Sequence, residues 1–177
     1  IGFLAKHGHW SPFGHCSAQF HIKAPVFVAR QLVKHQVGLT WNEISRRYVD
    51  YEPEFHEVDK WRGRAEDKKQ GSDEENTIEW VSRSQRTGAL KQQVENIALK
   101  NYNMMLEAGV APEQARMILP QSMMTEWYWS GTLYAFARVC NLRCASDAQY
   151  ETRIVANLIN IECDKLFPIS WTELRNT

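Results

Sequence analysis

The sequence has no apolar run approaching the roughly 18–20 residues that a membrane-spanning helix needs. It has no excess of either charge. Its 21 lysines and arginines balance 21 aspartates and glutamates, which argues against a nucleic-acid coat or a polybasic membrane binder. Cysteine is scarce. Cys16, Cys140, Cys144 and Cys163 form neither a dense framework nor a CxxC pair, so a reducing, cytoplasmic setting is expected. No secretory signal pattern opens the chain. GxGxxG turns, Walker loops, nucleophile elbows and zincin helices are missing as well, and with them the chemistries those motifs carry. There is no internal repeat and no low-complexity tract.

What is present suits a single domain over residues 1–177. At 44% hydrophobic residues the chain can bury a sizeable core without staples. Seven tryptophans read as core or interface groups, with a stacking platform as the lesser role. The chain opens at Ile1 in what reads as the last turn of a helix, closed by Gly8. A domain rarely begins that way, so a preceding N-terminal segment is expected.

Further along, residues 16–22 alternate as a short strand. Pro25 opens a helix that Gly38 ends. Residues 42–51 read as a turn and then an irregular strand. The highly charged stretch 59–76 reads as a solvated loop, or as a flap that brings Trp61, Arg62, Arg64 and Gln70 over a site. A long helix is expected from about 77 to 108, with Leu90, Val94, Ile97, Ala98, Asn101 and Met105 at helical spacing. A short helix at 112–117, a strand at 124–129 and helices at 131–142 and 148–166 follow, the last two parted by a turn capped by Ser146 or Asp147. Four or five helices with three or four short strands, in no βαβ alternation, give an α+β class: a short, mostly antiparallel sheet packed with several helices, one of them long.

Polar chemistry concentrates in Arg30-Gln31-x-x-Lys34-His35-Gln36 and Thr40-x-Asn42-Glu43-x-Ser45-Arg46-Arg47-Tyr48. Arginines and a hydroxyl on a turn suit a phosphate monoester, and Gln31 and Asn42 could read the edge of a base. A salt-bridged helix–strand corner would have the same composition. Arg116 and Arg143 lie at predicted helix ends, where arginine commonly caps the dipole. The His7-Gly8-His9 pair, with only His15 and His21 nearby, falls short of a zinc ligand set, and no metal is assigned. No cysteine sits in an activating local context.

Together these blocks resemble the flavin-dependent thymidylate synthases, the family that uses no cysteine nucleophile. The family signature is an Arg-His-Arg triplet followed by seven or eight residues and a serine, within RQ…RHR…S-x-N-E-x-S-x-R-Y. Here Arg30-Gln31 and Lys34-His35-Gln36 are followed after eight residues by Ser45, with Thr40, Asn42, Glu43, Arg47 and Tyr48 in the remaining places. KHGHWSPFGH, ARMILP and NLRCASDAQYE match three further family blocks in order, so the resemblance covers nearly the whole chain.

The resemblance implies reductive methylation of dUMP to dTMP, with methylenetetrahydrofolate as one-carbon donor and NADPH reducing through FAD. It makes Arg143 and Ser45 the catalytic residues, Arg143 lying against the uracil ring. Gln31, Glu43, Ser45, Arg46, Arg47 and Arg116 would bind dUMP. His9, Ser11, Lys34, His35, Gln36, Glu43 and Arg138 would face FAD, folate or nicotinamide. It also implies a homotetramer whose active sites draw on several subunits. Departures from the family pattern fall on the flavin side: Lys34 and Gln36 in the triplet, Gly14 for a glutamate, Asp147 for a histidine, and Tyr134 and Arg138 for an arginine and an asparagine. Two alternatives stay open: a relative that binds a pyrimidine nucleotide without turnover, and an enzyme delivering another one-carbon group, such as hydroxymethyl, to dUMP or dCMP.

Overall fold

The computed structural model describes residues 1–49, 51–66 and 71–176. Helices α1 (Gly2–Lys6) and α2 (Ser11–Gly14) lead into strand β1 (Ser17–Pro25) and helix α3 (Val26–Leu32). Strand β2 (Leu39–Glu43) precedes two hairpins, β3 (Arg62–Arg64) with β4 (Ser72–Thr77) and β5 (Trp80–Ser82) with β6 (Gln85–Arg86). The long helix α4 (Thr87–Glu107), the short α5 (Pro112–Ala115) and a 3₁₀ turn (Arg116–Ile118) come next. Strand β7 (Met124–Thr132) then feeds α6 (Leu133–Arg143), α7 (Tyr150–Leu166) and α8 (Pro168–Arg175). The class is α+β, as the sequence pattern implies. Among the described residues no helix is long and apolar enough to cross a membrane.

β7 is the centre of an antiparallel three-stranded sheet in the order β1-β7-β2. Its period of two sends Thr125, Trp127 and Trp129 into the core, while Tyr128 stays exposed on the other face. Trp129 lies opposite Phe20 on one side and Trp41 on the other. Trp41 stacks on Trp127 at 4.3 Å, and the Phe136 ring meets Trp129 edge-on at 5.5 Å. The core closes with Val28 and Leu32 of α3, Leu133, Phe136 and Val139 of α6, Ile159 and Cys163 of α7, and Trp171 and Leu174 of α8. Burying side chains of this size supplies roughly 1.5–3 kcal/mol each. Gly131 is required where β2 crosses β7, because a Cβ there would lie 2.6 Å from the Gly38 carbonyl oxygen.

Several elements differ from the sequence expectations, each for a local reason. Both strands of the main pair run longer than 16–22 and 124–129, because nine-residue pairing in register continues to Pro25 and Thr132. Pro25 caps α3 rather than entering it, and the helix stops at Leu32, well before Gly38. Gly38 instead adopts φ +76° and turns the chain into β2. That strand occupies Leu39–Glu43, so 42–51 holds only its end, and among the described residues no irregular strand follows there. The long helix begins ten residues later than expected. Residues 78–86 form the β5–β6 hairpin, held by the Arg86 guanidinium over the Trp80 ring at 5.0 Å and by Thr87 Oγ1 donating to the Ile78 carbonyl at 2.8 Å.

The face of α4 turned inward is Glu95, Ala98 and Tyr102, with Glu95 accepting from Lys91 and Ser122. Of the predicted stripe Ala98 is buried, whereas Leu90, Val94 and Ile97 are exposed. Neither Ser146 nor Asp147 caps α7, whose first turn follows Gln149 without a side-chain cap. Stretch 59–76 contains the β3–β4 hairpin rather than a bare loop. α8 has no counterpart among the expected elements, because Pro168 resets the helix only two residues after α7 ends.

Candidate functional site

The last turn of α6 and the turn after α3 meet at one place. Leu32 is fully buried and anchors the end of α3. The chain then tightens, with the His35 amide donating to the Leu32 carbonyl at 3.0 Å. From α6, Arg143 Nε donates to His35 Nε2 at 3.0 Å. His35 also lines a cavity of about 170 Å³, together with Lys34, Gln36, Arg138 and apolar residues of α6 and of the turn into β2, with no carboxylate among its lining groups. Burial, and then the charges of Arg143 and Arg138, hold the His35 imidazole below its ordinary 6.5. Burial also pulls the Arg143 guanidinium below its ordinary value.

A second group sits beyond the other end of β2. Ser45 Oγ accepts from the Arg47 amide at 3.4 Å and from Arg47 Nε at 3.2 Å, and the exposed Arg47 lies 5.0 Å over the Tyr48 ring. Glu43 accepts from Thr125 Oγ1 at 2.8 Å and from Trp41 Nε1 at 3.1 Å. Arg46 is buried: it donates to the Tyr51 carbonyl and stacks 4.5 Å over the Tyr51 ring, which ties it to its own loop. A strand rises about 3.3 Å per residue, so Leu39 and Glu43 at the two ends of β2 stand roughly 13 Å apart, and Ser45 lies two residues further on. No hydrogen bond or ion pair among the described residues links the Ser45–Arg47 group to the His35–Arg143 group.

The remaining predicted residues are spread around these two groups. Gln31 accepts from the hydroxyl of the fully buried Thr152. Arg116 is exposed in the 3₁₀ turn and donates to the Glu113 carbonyl at 3.3 Å. His9 lines a separate cavity of about 210 Å³ with Lys6, Trp10, Phe13 and Tyr134. Ser11 is the first residue of α2 beside it. Tyr134 opens the first turn of α6, so that helix runs from the His9 cavity past Arg138 to Arg143.

The flap expectation is corrected for Arg62. It donates to Ser72 Oγ at 2.8 Å, pairs with Glu151 and lies 4.2 Å over the Tyr150 ring, which clamps the β3–β4 hairpin to α7. Trp61 is half-buried and Arg64 exposed, while Gln70 lies outside the described residues. Among those residues no three His, Cys, Asp or Glu side chains gather to hold a metal ion.

Sequence reasoning missed two residues. Thr152 contacts Gln31 across 121 positions, which no local pattern reports. Cys144 follows Arg143, and a hydrogen bond from the Cys140 thiol brings its own pKa down to about 7. That corrects the expectation that no cysteine sits in an activating context. The i, i+4 spacing of Cys140 and Cys144 at a helix end was the available signal.

Residues 1–169 match the model of a family described as thymidylate synthase complementing protein. A flavin-dependent thymidylate synthase of Thermus thermophilus is 39% identical over 97% of this chain, and the chain spans 61% of that relative's length. One from Thermosipho africanus is 37% identical, with 97% of this chain and 73% of the relative covered. Among solved structures, a UMP/dUMP methylase, PolB, of Streptomyces cacaoi, bound with 5-Br dUMP, superposes with a TM-score of 0.80 at 26% identity, covering 97% of this chain and 76% of that one.

Proposed function

Because this chain belongs to the thymidylate synthase complementing protein family, we propose that it is a cytoplasmic methyltransferase converting dUMP to dTMP, with methylenetetrahydrofolate, FAD and NADPH and without a cysteine nucleophile. The observation that carries the reading is the bond from Arg143 to His35, a residue that itself lines a cavity with no carboxylate among its lining groups. With its Nε on His35, Arg143 would offer the pyrimidine a preorganised cation, which would stabilise the negative charge that develops as C5 becomes nucleophilic.

Ser45, Arg47 and Arg116 supply donors for the nucleotide phosphate, and Gln31 is oriented by Thr152. Glu43 sits between nucleotide and flavin, its carboxylate held by Thr125 and Trp41. Arg46, buried against Tyr51, supports the Ser45 turn. Lys34, His35, Gln36 and Arg138 line a donor-rich cavity that suits an acceptor-rich flavin edge. At about 170 Å³ it takes only one edge of an FAD, since pockets for whole ligands run about 300–1,000 Å³. When bound, FAD would pass on the hydride of NADPH and mediate the methylene transfer. His9 and Ser11, near the N-terminal end of α6, would face the folate and nicotinamide side.

Two observations favour a homotetramer with shared sites. The two groups stand at opposite ends of β2, so one copy's Ser45–Arg47 group can serve another copy's Arg143. The exposed Leu90, Val94, Ile97 and Met104 of α4 offer an apolar surface for assembly.

The test is turnover by the purified chain with dUMP, methylenetetrahydrofolate, NADPH and FAD. The expected result is dTMP that disappears when FAD is withheld from flavin-stripped protein, and a yellow holoprotein absorbing near about 450 nm. Nucleotide binding without any product would favour the non-catalytic relative. A hydroxymethylated product would favour the altered one-carbon chemistry.

A further inference from the structure

The contact between Arg143 and His35 determines the proton arrangement of both side chains. A guanidinium has five N–H donors and no acceptor. The imidazole nitrogen 3.0 Å from Arg143 Nε must therefore present a lone pair. The ring's one proton is then on Nδ1. His35 is half-buried, with Arg138 and Arg143 of α6 beside it and Lys34 next to it in the chain. No carboxylate lines the cavity to favour a second proton. A protonated ring could not accept from Arg143 at all. With Nε engaged, the guanidinium keeps only its outer edge, the two Nη groups, for a ligand. Left alone at a helix C-terminus, the same side chain would tend to fold onto the last carbonyls.

We propose that His35, held as the neutral Nδ1–H tautomer, is the positioning residue for Arg143: it accepts the Nε–H and turns the two-nitrogen edge of the guanidinium toward the nucleotide. The role rests on the reading of Arg143 as the group that faces uracil. It is separate from any contact His35 makes with the flavin, which would use the Nδ1–H side of the ring.

Three substitutions separate positioning from simple packing. The glutamine Oε1 falls near the place of Nε2, the asparagine Oδ1 near Nδ1, and leucine offers no acceptor. His35→Leu and His35→Asn are expected to lower kcat about tenfold to a hundredfold, the scale of one charge-assisted hydrogen bond, with the KM for dUMP nearly unchanged. His35→Gln is expected to recover most of kcat. In an Arg143→Lys background His35→Leu should cost little more, because its partner is already gone.

The acid limb of kcat should lie below pH 6.5 and vanish in His35→Gln. The charged groups that face His35 are Lys34, Arg138 and Arg143. Cys144, which titrates near 7, is replaced by serine for that profile. Nitrogen NMR of histidine-labelled protein needs no turnover: an Nδ1–H, bare-Nε2 signal for His35 supports the bond, and an Nε2–H signal overturns it. Equal kcat in the leucine and glutamine variants overturns it too. A parent chain that makes no dTMP counts against the functional reading, and the tautomer still decides the positioning bond.

Discussion

Arg143→Lys is the substitution that weighs most on the mechanism. Arg143 is the last residue of α6, and its Nε donates to His35 rather than to a helix carbonyl. Lysine keeps the charge but is a single point. It can reach His35 or the nucleotide, whereas the guanidinium holds one with Nε and offers the other its Nη edge. Losing one preorganised electrostatic donor costs about a hundredfold or more in kcat, which at about 1.36 kcal/mol per tenfold is about 2.7 kcal/mol or above. Folding should barely notice. The bond is half-exposed, and the residual cap interaction of a lysine at a helix end is worth roughly 0.3–1 kcal/mol, so melting should shift by a few degrees at most. The assay is dTMP formation at saturating dUMP, set beside a thermal melt and the flavin spectrum. A variant that folds, binds FAD and turns over at close to the parent rate would show that Arg143 only caps its helix. The mechanistic half of the proposal would then be wrong, although the family would stand.

Other outcomes are expected from the same geometry. Arg47→Ala should weaken dUMP binding by about 2–4 kcal/mol, the range for removing one partner of a desolvated charge pair; unchanged affinity in calorimetry would remove Arg47 from the phosphate site. Gly131→Ala should destabilise the fold by about 1–3 kcal/mol in denaturant unfolding, because the new Cβ meets the Gly38 carbonyl oxygen at 2.6 Å and backbone must move; a neutral effect would mean that β2 is free to shift. Serine at Cys16, Cys140, Cys144 or Cys163 should leave turnover largely intact, and iodoacetamide at neutral pH should label Cys144 fastest, since its thiol titrates near 7 while burial pushes Cys163 up to about 12. The depressed pKa of His35 makes its contribution to stability complete above pH 6.5 and lost as pH falls through the lower folded value; a melt series from pH 7 downward should show that loss in the parent and not in His35→Gln.

The α+β class, the strand that became β7 and the helices around it were readable locally. Alternation in MTEWYW and the 3.6-residue spacing of apolar groups are properties of neighbours in sequence. The long helix was read too early at its N-terminus because Ile78, Trp80 and Val81 fit a helical pattern as well as a strand pattern. A cross-strand contact, Arg86 over Trp80, settled it as a hairpin. The same limit applies to the charged stretch 59–76. Its composition says solvated loop, while Arg62 finds Glu151, Ser72 and the Tyr150 ring only once α7 lies beside it.

The roster of candidate groups was readable along the chain: the cations, the histidine, the Ser45 turn and the order of blocks that marks the family. How they divide depends on the packing of distant elements. The extended strand β2 holds the Ser45–Arg47 group away from His35, and the turn of β7 into α6 carries Arg143 across 108 positions to meet it. Local spacing can choose a helix or a strand and the face it buries. It cannot specify which distant element packs against that face, because the contact depends on the summed burial of the whole core. For that reason the apolar stripe of α4 was legible in sequence, whereas its exposure to solvent in the single chain was not.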